Sequence, residues 1–177
     1  MKKLRTKFKN LIILKSKVFF DKRGFFRETF KKNILKKDLI FGCSSKSKKN
    51  VLRGLHLQNK NSQGKFITVI KGEIFDVAVD LRRNSKTFGK YFSIYLSEKN
   101  GKSIFIPPGF AHGFVGVKNE NIIYYLCSNY RSITHERGIK WNDKELNIKW
   151  PIKKPIISKK DENNISFKDY IKRFIRK

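Results

Sequence analysis

The chain has 177 residues, enough for one domain with its own core and no need of disulfides or metals to hold it together. Hydrophobic residues make up 39% and aromatics 14%, too much apolar matter for a disordered chain. The formal charge of +28 suggests polyanion binding, yet the basic residues are mainly lysines spread from end to end rather than arginines clustered with aromatics. That pattern reads as a solvated surface and gives no specific nucleic-acid partner.

The start, "MKKLRTKFKN", leads only into the short run "LIILK", too small for a signal-peptide core, and no segment is long and apolar enough to span a bilayer. A cytoplasmic protein without membrane attachment is the expectation. "LIIL" and "SKVFF" read as strands, followed by a turn at "DKRG" and the extended "FFRETF". "KKNILKKDLIF" sets Ile34, Leu35, Leu39 and Phe41 at roughly helical spacing and predicts a short helix. Seven strands follow, "VLRGLHLQ", "KFITVI", "EIFDVAVDL", "KYFSIYLS", "SIFIP", "HGFVGV" and "NIIYYLCS", separated by turn material such as "NKNSQG", "EKNGK" and "PPG". This spacing predicts an all-β sandwich or small barrel across residues 1–177. "SFKDYIKRFIRK" closes the chain with an amphipathic helix at about residues 166–176, which should pack on the barrel or on a second subunit.

Within "VLRGLHLQ", strand alternation sends Leu52, Gly54, His56 and Gln58 to one face and Arg53, Leu55 and Leu57 to the other. A histidine beside a glycine and a glutamine on an inner face suggests a ligand cavity, with Gly54 opening space next to the imidazole. Read alone, His56 could equally be a satisfied structural histidine. The chain has only three histidines, and the pattern His56-Leu57-Gln58 lacks the second histidine of a jelly-roll metal site, so no metal is expected. Cys43 and Cys127 have no paired spacing and read as free thiols.

Several of these stretches together carry a resemblance. "VLRGLHLQ", "QGKFITVIKGEIFDVAVDLRRNSKTFGKYFSIYLS", "IPPGFAHGFVGV", "NIIYYLCSNY", "HERGIKWNDKELNIKWP" and the upstream "VFFDKRGFFRETF" resemble, in order, the dTDP-4-dehydrorhamnose 3,5-epimerases, from about residue 11 to about residue 165. The resemblance implies a cupin-type jelly roll, a homodimer, no cofactor and no metal, acting on a dTDP-linked 4-keto-6-deoxyhexose. The hydrogens at carbons 3 and 5 of that sugar are acidified by the neighbouring carbonyl. It implies His56 as the base, Asp161 as the carboxylate that orients it, Tyr125 as the proton donor on the opposite face, and Lys65 beside the developing oxyanion. Arg53 and Arg23 match its diphosphate-binding arginines, and Phe19, Phe26, Glu28 and His112 lie at substrate-contacting positions; the early segment would enter the neighbouring subunit's site.

Two departures stand out. Phe41 and Cys43 of "IFGCSSKS" replace a Gln-x-Asn pattern, and Arg131 stands at a substrate-side position where a second tyrosine usually follows "NY". Both leave the proton-transfer set intact and bear on which nucleotide and sugar are accepted. A single-site epimerase of another nucleotide-linked 4-ketosugar and a non-catalytic jelly-roll module are the alternative readings.

Overall fold

The computed structural model describes residues 1–175; the last residue of the predicted terminal helix, 176, lies outside them. Two antiparallel sheets face each other. The first, in spatial order, contains β1 (Lys2–Arg5), β2 (Ile12–Lys15), β10 (Lys102–Ile106), β7 (Lys65–Lys71), β12 (Glu120–Cys127) and β5 (Phe41–Lys48). The second contains β13 (Glu136–Gly138), β6 (Leu52–Gln58), β11 (Phe110–Gly116), β8 (Glu73–Asp80) and β9 (Tyr91–Ser97). A separate hairpin joins β3 (Val18–Asp21) to β4 (Gly24–Arg27). The fold is an all-β jelly-roll sandwich of the cupin type with a few short helices, and all seven strands expected after Val51 are present as β6 to β12.

Side-chain alternation builds three apolar layers. Inward residues Ile67 and Val69 of β7, Ile74 and Ala78 of β8, Leu96, Ile104 and Ile123 fill the space between the sheets together with Phe8 and Phe110. The intervening residues of β6, β8 and β11, among them Leu55, Leu57, Val77, Val79 and Val115, face outward and are covered by the C-terminal segment. There α2 (Lys159–Glu162) is followed by α3 (Phe167–Tyr170), which runs into a wider π-helical turn at Ile171–Ile175. Phe167 and Tyr170 are buried in this layer, so the terminal helix packs on its own sheet; each such burial contributes about 2 kcal/mol.

The helix expected near residue 35 shrinks to the single turn α1 (Lys32–Leu35). Lys36 adopts a left-handed conformation at φ 53° and stops it, while Ile34, Leu35 and Leu39 pack on Phe66 and Phe105 outside the first sheet. Phe41 belongs instead to strand β5, a polar strand that its sequence, "FGCSSKSK", does not announce.

Candidate active site

Between the two sheets the filling changes from apolar at one end to polar at the other. At the polar end a cavity of about 430 Å³ is lined from the first sheet by Phe41, Cys43, Ser45, Lys65, Tyr125 and Cys127, and from the second by Arg53, His56, His112 and Glu136. The inward positions of β7 run Lys65, Ile67, Val69, and those of β12 run Ile123, Tyr125, Cys127. Each strand therefore carries core residues at one end and site residues at the other.

β6 departs from the expected alternation. Leu52, Leu55 and Leu57 all join the outer layer, whereas Arg53 and His56 both line the cavity. The inversion occurs at Gly54, whose φ is +124° and whose peptide bond to Leu55 is cis; the pairing of β6 with β11 also slips a register between His112 and Phe114. Nor does Gly54 make room beside the imidazole. A Cβ there would lie 2.6 Å from Gly113 Cα and 2.8 Å from the His112 carbonyl, so the glycine serves the close approach of two backbones.

His56 Nε2 meets Asp161 Oδ1 at 2.5 Å. The imidazole side chain is 35% exposed toward the cavity, and the carboxylate behind it only 3%. Asp161 rides on α2, whose N-cap Ser158 accepts from the Asp161 N–H, and its Oδ2 accepts from the backbone N–H of Gly54 at 3.3 Å. Burial alone would raise the Asp161 carboxyl, but the bond and charge of His56, with the Gly54 and Ser158 donors, hold it below the usual carboxylate range. With the carboxylate on Nε2, Nδ1 is left as the ring nitrogen able to take a proton.

Tyr125 stands on the opposite sheet, its hydroxyl 3.0 Å from Ser45 Oγ. Burial pushes its pKa well up against the Ser45 bond, so it stays a phenol at neutral pH. Lys65 extends into the same space, where burial lowers its pKa; the nearby Cys127 thiol and Glu136 carboxylate oppose that shift. His112 is the direct strand partner of His56 and bonds through Nε2 to Asp76 Oδ2 at 2.7 Å. Arg53 is held by Ser47 Oγ at 3.0 Å and the Lys46 carbonyl at 3.0 Å. At the mouth, Arg131 grips Glu136 with two bonds of 2.5 and 3.1 Å, and Lys160 reaches the same carboxylate at 2.7 Å. The bonded Arg131, outweighing partial burial, with Lys160 added, brings the Glu136 pKa down to about 2.

The structure thus brings together His56, Asp161, Tyr125, Lys65, Arg53, His112 and Arg131. It does not bring in Phe19, Arg23, Phe26 or Glu28. Phe19 and Phe26 pair across the hairpin at 50% and 67% exposure, Arg23 bonds Asp21 at its tip, and Glu28 pairs with Lys31. Sequence reasoning missed Asp76, Ser45, Glu136 and Lys160. For Asp76 a signal existed: it shares inward parity with Ile74 and Ala78 in an otherwise apolar run. Among the described residues no cluster of three or more His, Cys, Asp or Glu side chains could hold a metal, neither cysteine is in a disulfide, and no helix is long and apolar enough to cross a membrane.

The chain as a whole is similar to known proteins. A family model described as dTDP-4-dehydrorhamnose 3,5-epimerase matches residues 5–169. The chain is 43% identical to a dTDP-4-dehydrorhamnose 3,5-epimerase of Shigella flexneri, over 96% of this chain and 97% of that one. It is 42% identical to the same-named protein of Methanothermobacter thermautotrophicus, over 90% and 91%. The crystal structure of a dTDP-6-deoxy-D-glucose-3,5-epimerase from Legionella pneumophila in complex with dTDP-4-keto-L-rhamnose superposes with a TM-score of 0.87 at 37% identity, covering 93% of this chain and 92% of that one.

Proposed function

The chain belongs to the dTDP-4-dehydrorhamnose 3,5-epimerase family, and we propose that it converts dTDP-4-dehydro-6-deoxy-D-glucose to dTDP-4-dehydro-L-rhamnose by inverting carbons 3 and 5. The observation that carries this reading is the His56–Asp161 pair on one wall of the cavity with a protonated Tyr125 on the other. Inversion needs a base and an acid on opposite faces of the sugar, and the two sheets supply one each.

Nδ1 of His56 removes the proton next to the 4-keto group, and the buried Asp161 carboxylate steadies the imidazolium so formed. Charge moves to the carbonyl oxygen, where Lys65 stabilises the enolate. The Tyr125 hydroxyl returns a proton to the other face. Arg53, which lines the cavity, suits the diphosphate as a charged hydrogen-bond donor, while Arg131 stays engaged with Glu136. The same reading makes the enzyme a cytoplasmic homodimer in which Phe19, Arg23, Phe26 and Glu28 of one subunit close the sugar-nucleotide site of the other.

The test is incubation with dTDP-4-keto-6-deoxyglucose in heavy water. Deuterium at both carbons 3 and 5, read by NMR, is the expected result. Label at one carbon makes the protein a single-site epimerase, and none overturns the assignment.

A further inference from the structure

We propose that Asn164 is a positioning residue for the His56–Asp161 pair, seated over Gly138 so that its carboxamide holds the carboxylate in line with the imidazole. The inference rests on the reading of His56 as the base. α2 and the residues after it meet β13 at two points, one on each side of Asp161. Glu136 and Gly138 are two apart on β13 and share a face; Lys160 and Asn164 are four apart on the segment that crosses it. At the first point Lys160 Nζ bonds Glu136 at 2.7 Å.

At the second point there is no side chain on β13 at all. A Cβ on Gly138 would lie 1.9 Å from Asn164 Oδ1 and 2.6 Å from Nδ2, so the carboxamide occupies the space a side chain would need. Asn164 is only 8% exposed. Its Nδ2 lies 3.5 Å from Asp161 Oδ1, the oxygen that His56 Nε2 meets at 2.5 Å. Gly138 is also the strand partner of His56, so the glycine, the asparagine, the carboxylate and the imidazole close a ring across β13, α2 and β6.

The backbone fixes Asn164 in this seat. Its N–H donates to the Asp161 carbonyl at 3.3 Å, and the following Ile165 bridges Ile139 while its carbonyl accepts from Lys140 N–H at 2.9 Å. Burial disfavours the ionised carboxylate, and a neutral donor offsets that without adding charge to a hollow already lined by Arg53, Arg131 and Lys160, with Glu136 bonded to the last two. Asn164 lines neither the cavity nor this hollow, which separates its effect from substrate binding.

The experiment is the pH profile of turnover for Asn164→Ala and Asn164→Asp, with thermal melts to establish folding. Removing the carboxamide lets the carboxylate swing out of line with the imidazole and weakens its hold on the imidazolium, so the acidic limb of kcat/KM moves down by about half a pH unit and kcat falls severalfold at unchanged KM. A carboxylate at 164 adds negative charge beside the pair, and the limb moves up. Gly138→Ala, which evicts the carboxamide, reproduces Asn164→Ala, and the double variant is no worse than either single one.

Folded Asn164 variants whose limbs stay in place, or move the same way, overturn the positioning role. His56→Ala is run beside them. If it is inactive while the limbs stand still, only the role of Asn164 falls; if it turns over normally, the base assignment falls and this inference with it.

Discussion

The cavity wall and the β3–β4 hairpin both hold residues expected at the substrate, and they are built in opposite ways. On the wall most site residues have a side-chain partner: His56 has Asp161, Tyr125 has Ser45, His112 has Asp76, Arg131 has Glu136. The hairpin leaves Phe19, Phe20, Phe25 and Phe26 exposed on its two faces. It is tied to the sandwich through Arg27, whose guanidinium reaches Thr68 Oγ1 and the carbonyls of Val69 and Ser97. Proton transfer demands groups fixed before substrate arrives, and for the proposed reaction the wall would provide them. A two-stranded ribbon that exposes aromatic rings on both faces suits contact with another surface, and a second copy of the chain supplies one in the proposed dimer.

The largest effects are expected at the wall. His56→Ala should lower turnover at least about a thousandfold with the fold intact, and Tyr125→Phe somewhat less, because a neighbouring water can return the proton slowly. Steady-state kinetics at substrate saturation read both. If His56→Ala keeps its rate, the wall is scaffold and not machinery.

Subunit mixing sharpens the hairpin's side. The double variant Arg23→Ala/Phe26→Ala should raise KM, its own cavity wall being untouched. Refolded together with His56→Ala, it should regain about a quarter of wild-type activity at low substrate. Half of the dimers are then mixed, and each mixed dimer has one site built from two sound parts. A mixture no better than the mean of its components confines the hairpin to its own chain.

The smallest effect lies in neither region. Asp80, at the far end of β8, is bound by Arg82, Ser85 and Thr87; these bonds outweigh burial and bring its pKa down to about 2 from 3.8. Because the folded pKa lies below the unfolded one, its stabilisation of about 2 kcal/mol is complete above roughly pH 4 and is lost as the pH falls through about 2. Denaturant melts of wild type and Asp80→Asn should differ at neutral pH and converge in strong acid, with kcat of the folded variant unchanged.

Much of this was legible in the sequence. β6 to β12 alternate apolar residues with turn punctuation between them, and the joined motifs picked out His56, Lys65, Tyr125 and Asp161. What escaped did so for local reasons. β5 is polar because its inward face lines a cavity rather than a core. Parity along β6 fails at one glycine, which no alternation rule anticipates. Asp161 and Asn164, in the polar stretch "SKKDENN", read as solvent-exposed, and only the tertiary contacts of α2 bury them. Phe19 and Phe26 are as hydrophobic as any core pair, and sequence alone does not say that the folded chain leaves both exposed.

The inversion at Gly54 sets a length scale. By turning Arg53 and His56 to the same side of one strand, three residues apart, the backbone becomes a caliper, with one jaw for the anionic group and the other for the reacting carbon in the proposed reaction. Neither jaw can slide, since Gly54 is pressed against Gly113 and the imidazole is braced from behind. In the proposed reaction the strand itself would then measure the distance from the reacting carbon to the nearest phosphate, and a sugar without a phosphate would leave one jaw empty.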